Sequence, residues 1–275
     1  AGNYQPHSGR TYCIQASTGH YVDTDTATNQ TACSPGAFQS STGRTSCIMT
    51  DPGYFVDGFG QGSQHSCYEG TFQPGIGQTS CIDAPVGTFV NTTAATSPTD
   101  CAVGTFQNQT GQTSCIDAPP GTYVDTTGAS SPTDCSGGTY QPSSGQSSCL
   151  DADAGYYVGS TGASTQTPCS LGTYQPYTGQ ASCISASAGY YVDTTASVNQ
   201  TACAAGTYQP NTGQSSCIDA SAGYYVPSTA STSQTPCAVG TYQPNTGQSS
   251  CLDAPAGTYV DSTGATSSTD CPVGT

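Results

Sequence analysis

Sixteen cysteines carry the most regular chemistry in this sequence, because the gaps between them alternate between 20 and 14 residues. They are Cys13, Cys33, Cys47, Cys67, Cys81, Cys101, Cys115, Cys135, Cys149, Cys169, Cys183, Cys203, Cys217, Cys237, Cys251 and Cys271. This spacing predicts a disulfide framework in an oxidising, extracellular setting. A zinc array needs Cys or His ligands two to five residues apart, and the sequence has no such cluster. Spacing alone leaves the pairing open between 14-residue and 20-residue loops.

Aspartates recur at two repeat positions and suggest calcium as an alternative chemistry. Those two residues after a cysteine are Asp83, Asp117, Asp151, Asp219 and Asp253, and those four residues after a periodic glycine include Asp125, Asp193 and Asp261. Stacked repeats would align them in like-charged columns, which a calcium ion bound by carboxylate and carbonyl oxygens could neutralise. The preferred interpretation has no metal or cofactor and treats each aspartate as a turn acceptor on a solvated acidic face.

Glycosylation is a second candidate chemistry, and catalysis is not predicted. The sequence has four Asn-x-Thr acceptor triplets, at Asn29, Asn91, Asn108 and Asn199. Ser and Thr are concentrated in second halves, as in O-glycosylated stalks. The histidines His7, His20 and His65 lie in the first two repeats and have no equivalents later. No catalytic triad therefore recurs with the repeat, and we predict that the chain is not an enzyme.

A glycine at every seventeenth residue, from Gly2 to Gly274, must organise these groups. An aromatic follows two residues later in the first sixteen cases, which predicts an array of 34-residue units made of two related halves. First halves carry Pro and Gly at the fifth and eighth places, which predict a turn, and second halves carry strand-forming pieces such as Tyr224-Tyr225-Val226. No helical period is present. We expect a ladder of stacked rings.

The composition favours an extracellular protein without a large hydrophobic core. Only 33% of the residues are hydrophobic, and the net charge is −15 with two Lys or Arg residues. This balance argues against binding to nucleic acid or anionic lipid, and no apolar run of about 18 residues could span a membrane. The predicted fold is small, disulfide-rich, mainly β and loop, with almost no helix, in an elongated tandem-repeat rod or solenoid. Residues 1–275 are expected to form one continuous array of about eight units, cut from a longer chain because a ninth unit opens at Cys271.

The run Cys237-Ala-Val-Gly240-Thr-Tyr242, followed by Gly247 and Cys251, resembles the cysteine-rich repeats of ephrin-receptor-like and tumour-necrosis-factor-receptor-like proteins. The resemblance implies the pairs Cys33–Cys47, Cys67–Cys81, Cys101–Cys115, Cys135–Cys149, Cys169–Cys183, Cys203–Cys217 and Cys237–Cys251. Cys13 and Cys271 would then pair outside the sequence or between subunits. The second halves depart from the family, since Ala220 to Ala222 hold no cysteine before Gly223. The rival pairing, from Cys13–Cys33 to Cys251–Cys271, would satisfy every cysteine, but we favour the 14-residue loops.

These features predict an extracellular or cell-surface structural protein that forms a rigid, glycosylated filament, appendage or stalk. Its expected partners are further copies or the continuation of the same chain, with no nucleic acid and no membrane insertion. The alternative is a receptor or adhesin ectodomain that binds a protein or carbohydrate ligand. The most divergent stretch, Asp51 to Glu69 with Phe55, Phe59, His65 and Tyr68, is where such a ligand would be expected.

Overall fold

The computed structural model describes residues 1–272 and 274 of the chain. Val273 and Thr275, which belong to the predicted opening of a ninth repeat, lie outside the described residues. Backbone packing divides the chain into two compact units, Ala1–Thr133 with Ser143–Ser148, and Asp134–Pro142 with Cys149–Thr275. Strands, turns and loops make up all of the described structure, with no helix in it. The predicted disulfide-rich β-and-loop class is confirmed.

Each 17-residue half folds as a two-stranded antiparallel hairpin. Counting from the periodic glycine, the first residue after it pairs with the thirteenth, and the second residue pairs with the twelfth. In first halves the strands are Asn3–Tyr4 with Ile14–Gln15, Ala37–Phe38 with Ile48–Met49, Thr71–Phe72 with Ile82–Asp83, Thr105–Phe106 with Ile116–Asp117, Thr139–Tyr140 with Leu150–Asp151, Thr173–Tyr174 with Ile184–Ser185, Thr207–Tyr208 with Ile218–Asp219, and Thr241–Tyr242 with Leu252–Asp253. In second halves they are His20–Tyr21 with Thr31–Ala32, Tyr54–Phe55 with His65–Ser66, Thr88–Phe89 with Thr99–Asp100, Tyr156–Tyr157 with Thr167–Pro168, Tyr190–Tyr191 with Thr201–Ala202, Tyr224–Tyr225 with Thr235–Pro236, and Thr258–Tyr259 with Thr269–Asp270. Strands Thr122–Tyr123 and Thr133–Asp134 occupy the equivalent positions of their half.

The turn of each hairpin depends on a residue in the left-handed region, seven positions after the periodic glycine. In first halves this residue is glycine, as at Gly213 with φ of 72°, which confirms the turn predicted there. Some second halves place Thr26, Ala94, Ala196 or Ala230 at the same position, with φ between 55° and 64°. The hairpin geometry is therefore common to both halves, and only its turn residue differs.

Two positions of each half supply most of the buried side chains. At the third position after the periodic glycine, second halves hold Val22, Val56, Val90, Val124, Val158, Val192, Val226 and Val260, while first halves hold Gln39, Gln73, Gln107, Gln141, Gln175, Gln209 and Gln243. At the fourteenth position, second halves hold Cys33, Cys67, Cys101, Cys135, Cys169, Cys203 and Cys237, while first halves hold Ala16, Thr50, Ala84, Ala118, Ala152, Ala186 and Ala220. The core is therefore made mainly of valine, glutamine, alanine and cysteine, with Phe106 as its one buried aromatic among the described residues.

The predicted ladder of stacked aromatic rings is wrong. Within residues 1–272, the ring pair in contact is Phe55 with His65, whose centroids lie 5.7 Å apart. Successive side chains of a strand point to opposite faces, and the third position of each half is the one that is buried. Most aromatics at the second position are half-buried beside a cross-strand partner, such as Ile218 beside Tyr208. Phe106 is the buried one, and it packs with Ala118 and Val124 instead of with another ring.

Within each of the two compact units, successive 17-residue halves are joined by backbone hydrogen bonds. The N–H of Gly206 donates to Val226 O at 2.8 Å, and the N–H of Gln209 donates to Ser231 O at 3.0 Å. A further bond reaches the next half but one, from Ala230 N–H to Cys203 O at 2.8 Å. The same three bonds recur through both units, as in Gly36 N–H to Val56 O at 2.8 Å in the other unit. Each half thus packs on its successors, as expected for a repeat array.

A buried glutamine fastens the loop of each first half. The Nε2 of Gln209 donates to Ser216 O at 2.8 Å, and its Oε1 accepts from Asn211 N–H at 3.1 Å. The side chain is only 3% exposed. A polar residue is stable there because both ends of its amide are satisfied. The glutamine therefore stabilises the loop of a first half through hydrogen bonds. At the same position of a second half, valine stabilises the structure through apolar burial.

Replacing Gln209 with leucine should destabilise the array by about 1–3 kcal/mol for each backbone group left without its partner. The loop amide of Asn211 and the carbonyl of Ser216 both lose theirs. Denaturant unfolding of the oxidised protein measures the loss. Gln214 of the same half is the control, because its Nε2 bonds the exposed Thr212 carbonyl, and Gln214→Leu should change the free energy of unfolding by less than about 0.5 kcal/mol. Equal effects of the two changes would contradict the role of the buried amide.

Candidate functional site

The structure joins the cysteines in 14-residue loops. Among the described residues, seven disulfides connect Cys33–Cys47, Cys67–Cys81, Cys101–Cys115, Cys135–Cys149, Cys169–Cys183, Cys203–Cys217 and Cys237–Cys251. Their Cα atoms lie 5.7–5.8 Å apart, a usual distance for a disulfide. These are the pairs that the family resemblance implied. The first cysteine of each pair is fully buried, so the bond ties a hairpin loop directly to the core.

Cys13 and Cys271 are exposed free thiols. They occupy the repeat positions that elsewhere belong to the second and the first cysteine of a pair. Their pairing with groups outside this sequence, or between subunits, stays a prediction.

A cleft recurs at the boundary between a second half and the first half that follows it. It appears beside Tyr21, Tyr157 and Tyr191, with volumes of about 440, 380 and 420 Å³. The tyrosine comes from the first strand of the second half. The opposite wall is built by the next first half, through its serine and disulfide cysteine, such as Ser216 and Cys217. The cleft therefore exists only where two successive halves stack.

Hydroxyl groups and one carboxylate give the cleft its polar character. Thr207 and Ser215 line the cleft beside Tyr191, and Asp193 adds a carboxylate to it. Asp23 is the equivalent group beside Tyr21, whereas the cleft beside Tyr157 has glycine at that repeat position. Sequence reasoning missed this site because its walls come from different halves. The signal in the sequence that could have indicated the cleft is the recurrence of a second-half aromatic followed by a Ser-Cys pair in the next first half.

The repeated aspartates that follow first-half cysteines lie beside glycine turns. A side chain added at Gly247 would meet Asp219 Cγ at 3.5 Å, and Asp83 lies equally close to Gly111. Each of these aspartates thus covers the glycine turn of the next 34-residue unit. Within the described part of the chain, no three His, Cys, Asp or Glu side chains come together to hold a metal. Calcium held by fewer carboxylates with backbone oxygens stays the alternative to the preferred interpretation, which has no metal.

One described carboxylate has a shifted titration. The amino group of Ala1 donates a hydrogen bond to Asp25 Oδ1 at 2.7 Å. This bond, helped by the positive charge of the amino group, lowers the pKa of Asp25 below its usual value. Asp25 is fully exposed, so the pair is a surface feature with little effect on stability.

The acceptor asparagines and the divergent stretch are both at the surface. Asn29, Asn91, Asn108 and Asn199 are all exposed, as are the threonines that complete their triplets. In the divergent stretch, Phe59 and Tyr68 are 72% and 70% exposed. Phe55 is half-buried against the ring of His65. The predicted glycosylation sites and the exposed aromatics of the divergent stretch are therefore both accessible to a partner.

The repeats match a known family model. The model of the tyrosine-protein kinase ephrin type A/B receptor-like family matches residues 53–101, 99–135, 155–203, 189–237 and 223–271. The chain belongs to this family. Four of the five ephrin-receptor-like matches begin at a second-half glycine, the residue that packs against later halves. No curated protein matches the chain with significance.

Family membership and the disulfides together point to an extracellular or cell-surface location. Ephrin-receptor-like repeats are a non-catalytic type of extracellular module. In the part of the chain that the structure describes, no helix is long and apolar enough to cross a membrane.

Proposed function

We propose that this chain is a structural protein that forms a stiff part of an extracellular filament, appendage or stalk. The observation that carries the proposal is the repetition of one set of backbone hydrogen bonds between successive halves, such as Gly206 N–H to Val226 O. Every half can therefore receive another half in the same way, which is what an object of indefinite length requires. The expected partners are further copies or the continuation of the same chain.

The disulfides support a mechanical role. The loop between Cys203 and Cys217, like each of its equivalents, encloses the first strand and the turn of a hairpin, and its second cysteine directly precedes the second strand. A closed loop cannot extend beyond the separation of its two cysteines, 5.8 Å between Cα atoms. The chain would therefore resist extension even where the weaker contacts between halves yield.

Electron microscopy of the purified, oxidised chain at rising concentration tests this proposal. We expect filaments with one constant axial repeat for every 34-residue unit, because the same backbone hydrogen bonds join successive halves throughout. Reduced protein is the control and should form none. Discrete particles that stay the same length at every concentration would count against self-assembly.

A receptor or adhesin ectodomain is the second candidate. The exposure of Phe59 and Tyr68 in the divergent stretch favours it, since large exposed apolar side chains often mark interaction sites. A binding partner lost on Phe59→Ser and Tyr68→Ser, together with normal folding, would favour this candidate over the filament.

We further propose that the acceptor asparagines carry glycans. Their exposure supports this, since an attached sugar at Asn29, Asn91, Asn108 or Asn199 would meet no core residue. The mass of protein secreted from eukaryotic cells should exceed the 27.6 kDa of the bare chain. Enzymatic removal of N-glycans should reduce the excess, and a secreted protein with the bare mass would exclude glycosylation.

A further inference from the structure

The clefts beside Tyr21 and Tyr191 share chemistry that no proposed structural role uses. Each combines a half-buried tyrosine, serine or threonine hydroxyls and an aspartate in a space of about 420–440 Å³. A stable rod needs none of these groups to face an open cleft. We propose that these two clefts bind a neutral sugar ring.

The charge of the clefts selects against anions. No lysine or arginine lines either cleft, and the chain as a whole has a net charge of −15. Phosphate, sulfate or carboxylate ligands would meet Asp193 without a compensating cation. Beside Tyr21 the nearest arginine is Arg44, which lines an adjoining cavity and not the cleft that holds Asp23. A neutral ligand avoids this cost, and a carboxylate is a good acceptor for its hydroxyl donors.

The lining matches the two sides of a sugar ring. One face of a pyranose carries C–H groups, which pack against the negative face of an aromatic ring. The ring edge carries hydroxyls, which pair with side chains that can both donate and accept, such as Thr207 and Ser215. Pockets of a few hundred Å³ suit small ligands, and these volumes leave room for one or two sugar residues.

The sugar can come from this chain or from another molecule. Asn199 precedes Thr201 by two residues, and Thr201 is the cross-strand partner of Tyr191. The Cα of Asn199 is therefore within about 13 Å of the Tyr191 Cα. The first sugars of a glycan can cover that distance. The same arrangement occurs in the other compact unit, where Asn29 precedes Thr31 and Thr31 pairs with Tyr21. A free saccharide would make the same contacts with the ring and the hydroxyls.

The test titrates chitotriose, cellotriose and mannotriose into oxidised chain produced without glycans, with affinity measured by calorimetry and by NMR shifts. We expect at least one to bind, and the double change Tyr21→Leu and Tyr191→Leu to weaken it about tenfold or more, since the stacking is lost. Tyr177→Leu is the control, because Tyr177 is 67% exposed outside the clefts. Asp193→Gly with Asp23→Gly copies the cleft beside Tyr157 and should also weaken binding.

A second arm identifies the source of the sugar. The same saccharide is titrated into glycosylated protein before and after enzymatic removal of the glycans. If the glycans of Asn29 and Asn199 occupy the clefts, affinity should rise about tenfold on their removal, whereas equal affinities assign the clefts to an external saccharide. This arm rests on the glycosylation proposal, but the first does not. The inference is overturned if none of the three saccharides binds, or if the tyrosine variants bind as tightly as the control, whatever the filament experiment shows.

Discussion

Replacing Gly206 with alanine should destabilise the array by about 2–5 kcal/mol, whereas Gly240→Ala should cost only about 1–2 kcal/mol. Both glycines have positive φ, 92° and 87°, so both variants carry the strain of a left-handed alanine. An added Cβ at Gly206 would lie 2.3 Å from Gly247 O, in the next half but one. At Gly240 of the 275-residue chain the same atom would meet nothing within 4 Å, because the chain stops before the turn that would be equivalent to Gly247.

The two positions form a matched pair. Gly206 to Cys217 and Gly240 to Cys251 have the same twelve-residue sequence, so local propensity and turn chemistry cancel in the comparison. The difference in the free energy of unfolding, measured with denaturant on the oxidised variants, therefore reports the contact between halves. Hydrogen exchange should show faster exchange at the Gly206 amide, which donates to Val226 O. Equal destabilisation by the two changes would mean that the halves do not pack as closely as described.

Complete reduction should unfold the chain. Each 14-residue disulfide loop contributes about 3 kcal/mol by restricting the unfolded state, and the seven loops together contribute about 20 kcal/mol. A typical domain is stable by only about 5–15 kcal/mol, so the core of valine, glutamine and alanine cannot compensate. Thermal unfolding and hydrogen exchange, with and without reductant, measure the effect. Retention of slow amide exchange after verified reduction would contradict it.

Two further measurements isolate the contribution of the disulfides. Replacing both Cys203 and Cys217 with alanine removes one bond and should cost about 3 kcal/mol; alanine already fills the position of Cys203 in first halves such as that of Ala220. In single-molecule stretching, reduction should lengthen the fully extended chain by about 300 Å, since each closed loop withholds about 14 residues of roughly 3.5 Å. A gain well below this value would indicate that fewer than seven loops are closed.

The sequence determined the repeat and its local geometry. Glycine at every seventeenth residue, proline and glycine in the first-half loop, and cysteines at fixed spacing are signals that act within one half. Turn chemistry and backbone freedom depend on neighbouring residues in the chain. The hairpin turn at Gly213, the β-and-loop class and the extracellular character of the repeats could therefore be read before any packing was known.

Only the tertiary structure decided which residues are buried and what lies between halves. A strand of two residues is too short to show a periodicity, so the sequence did not predict that Val226 and Gln209 are buried while Tyr225 and Tyr208 are only half-buried. The large rings were expected inside because they bury the most area, but most of them are only half-buried, and valine, glutamine, alanine and cysteine fill most of the core. The close approach of Gly206 to Gly247 and the clefts beside Tyr21 and Tyr191 depend on contacts between different halves, and such contacts exist only once the hairpins have stacked.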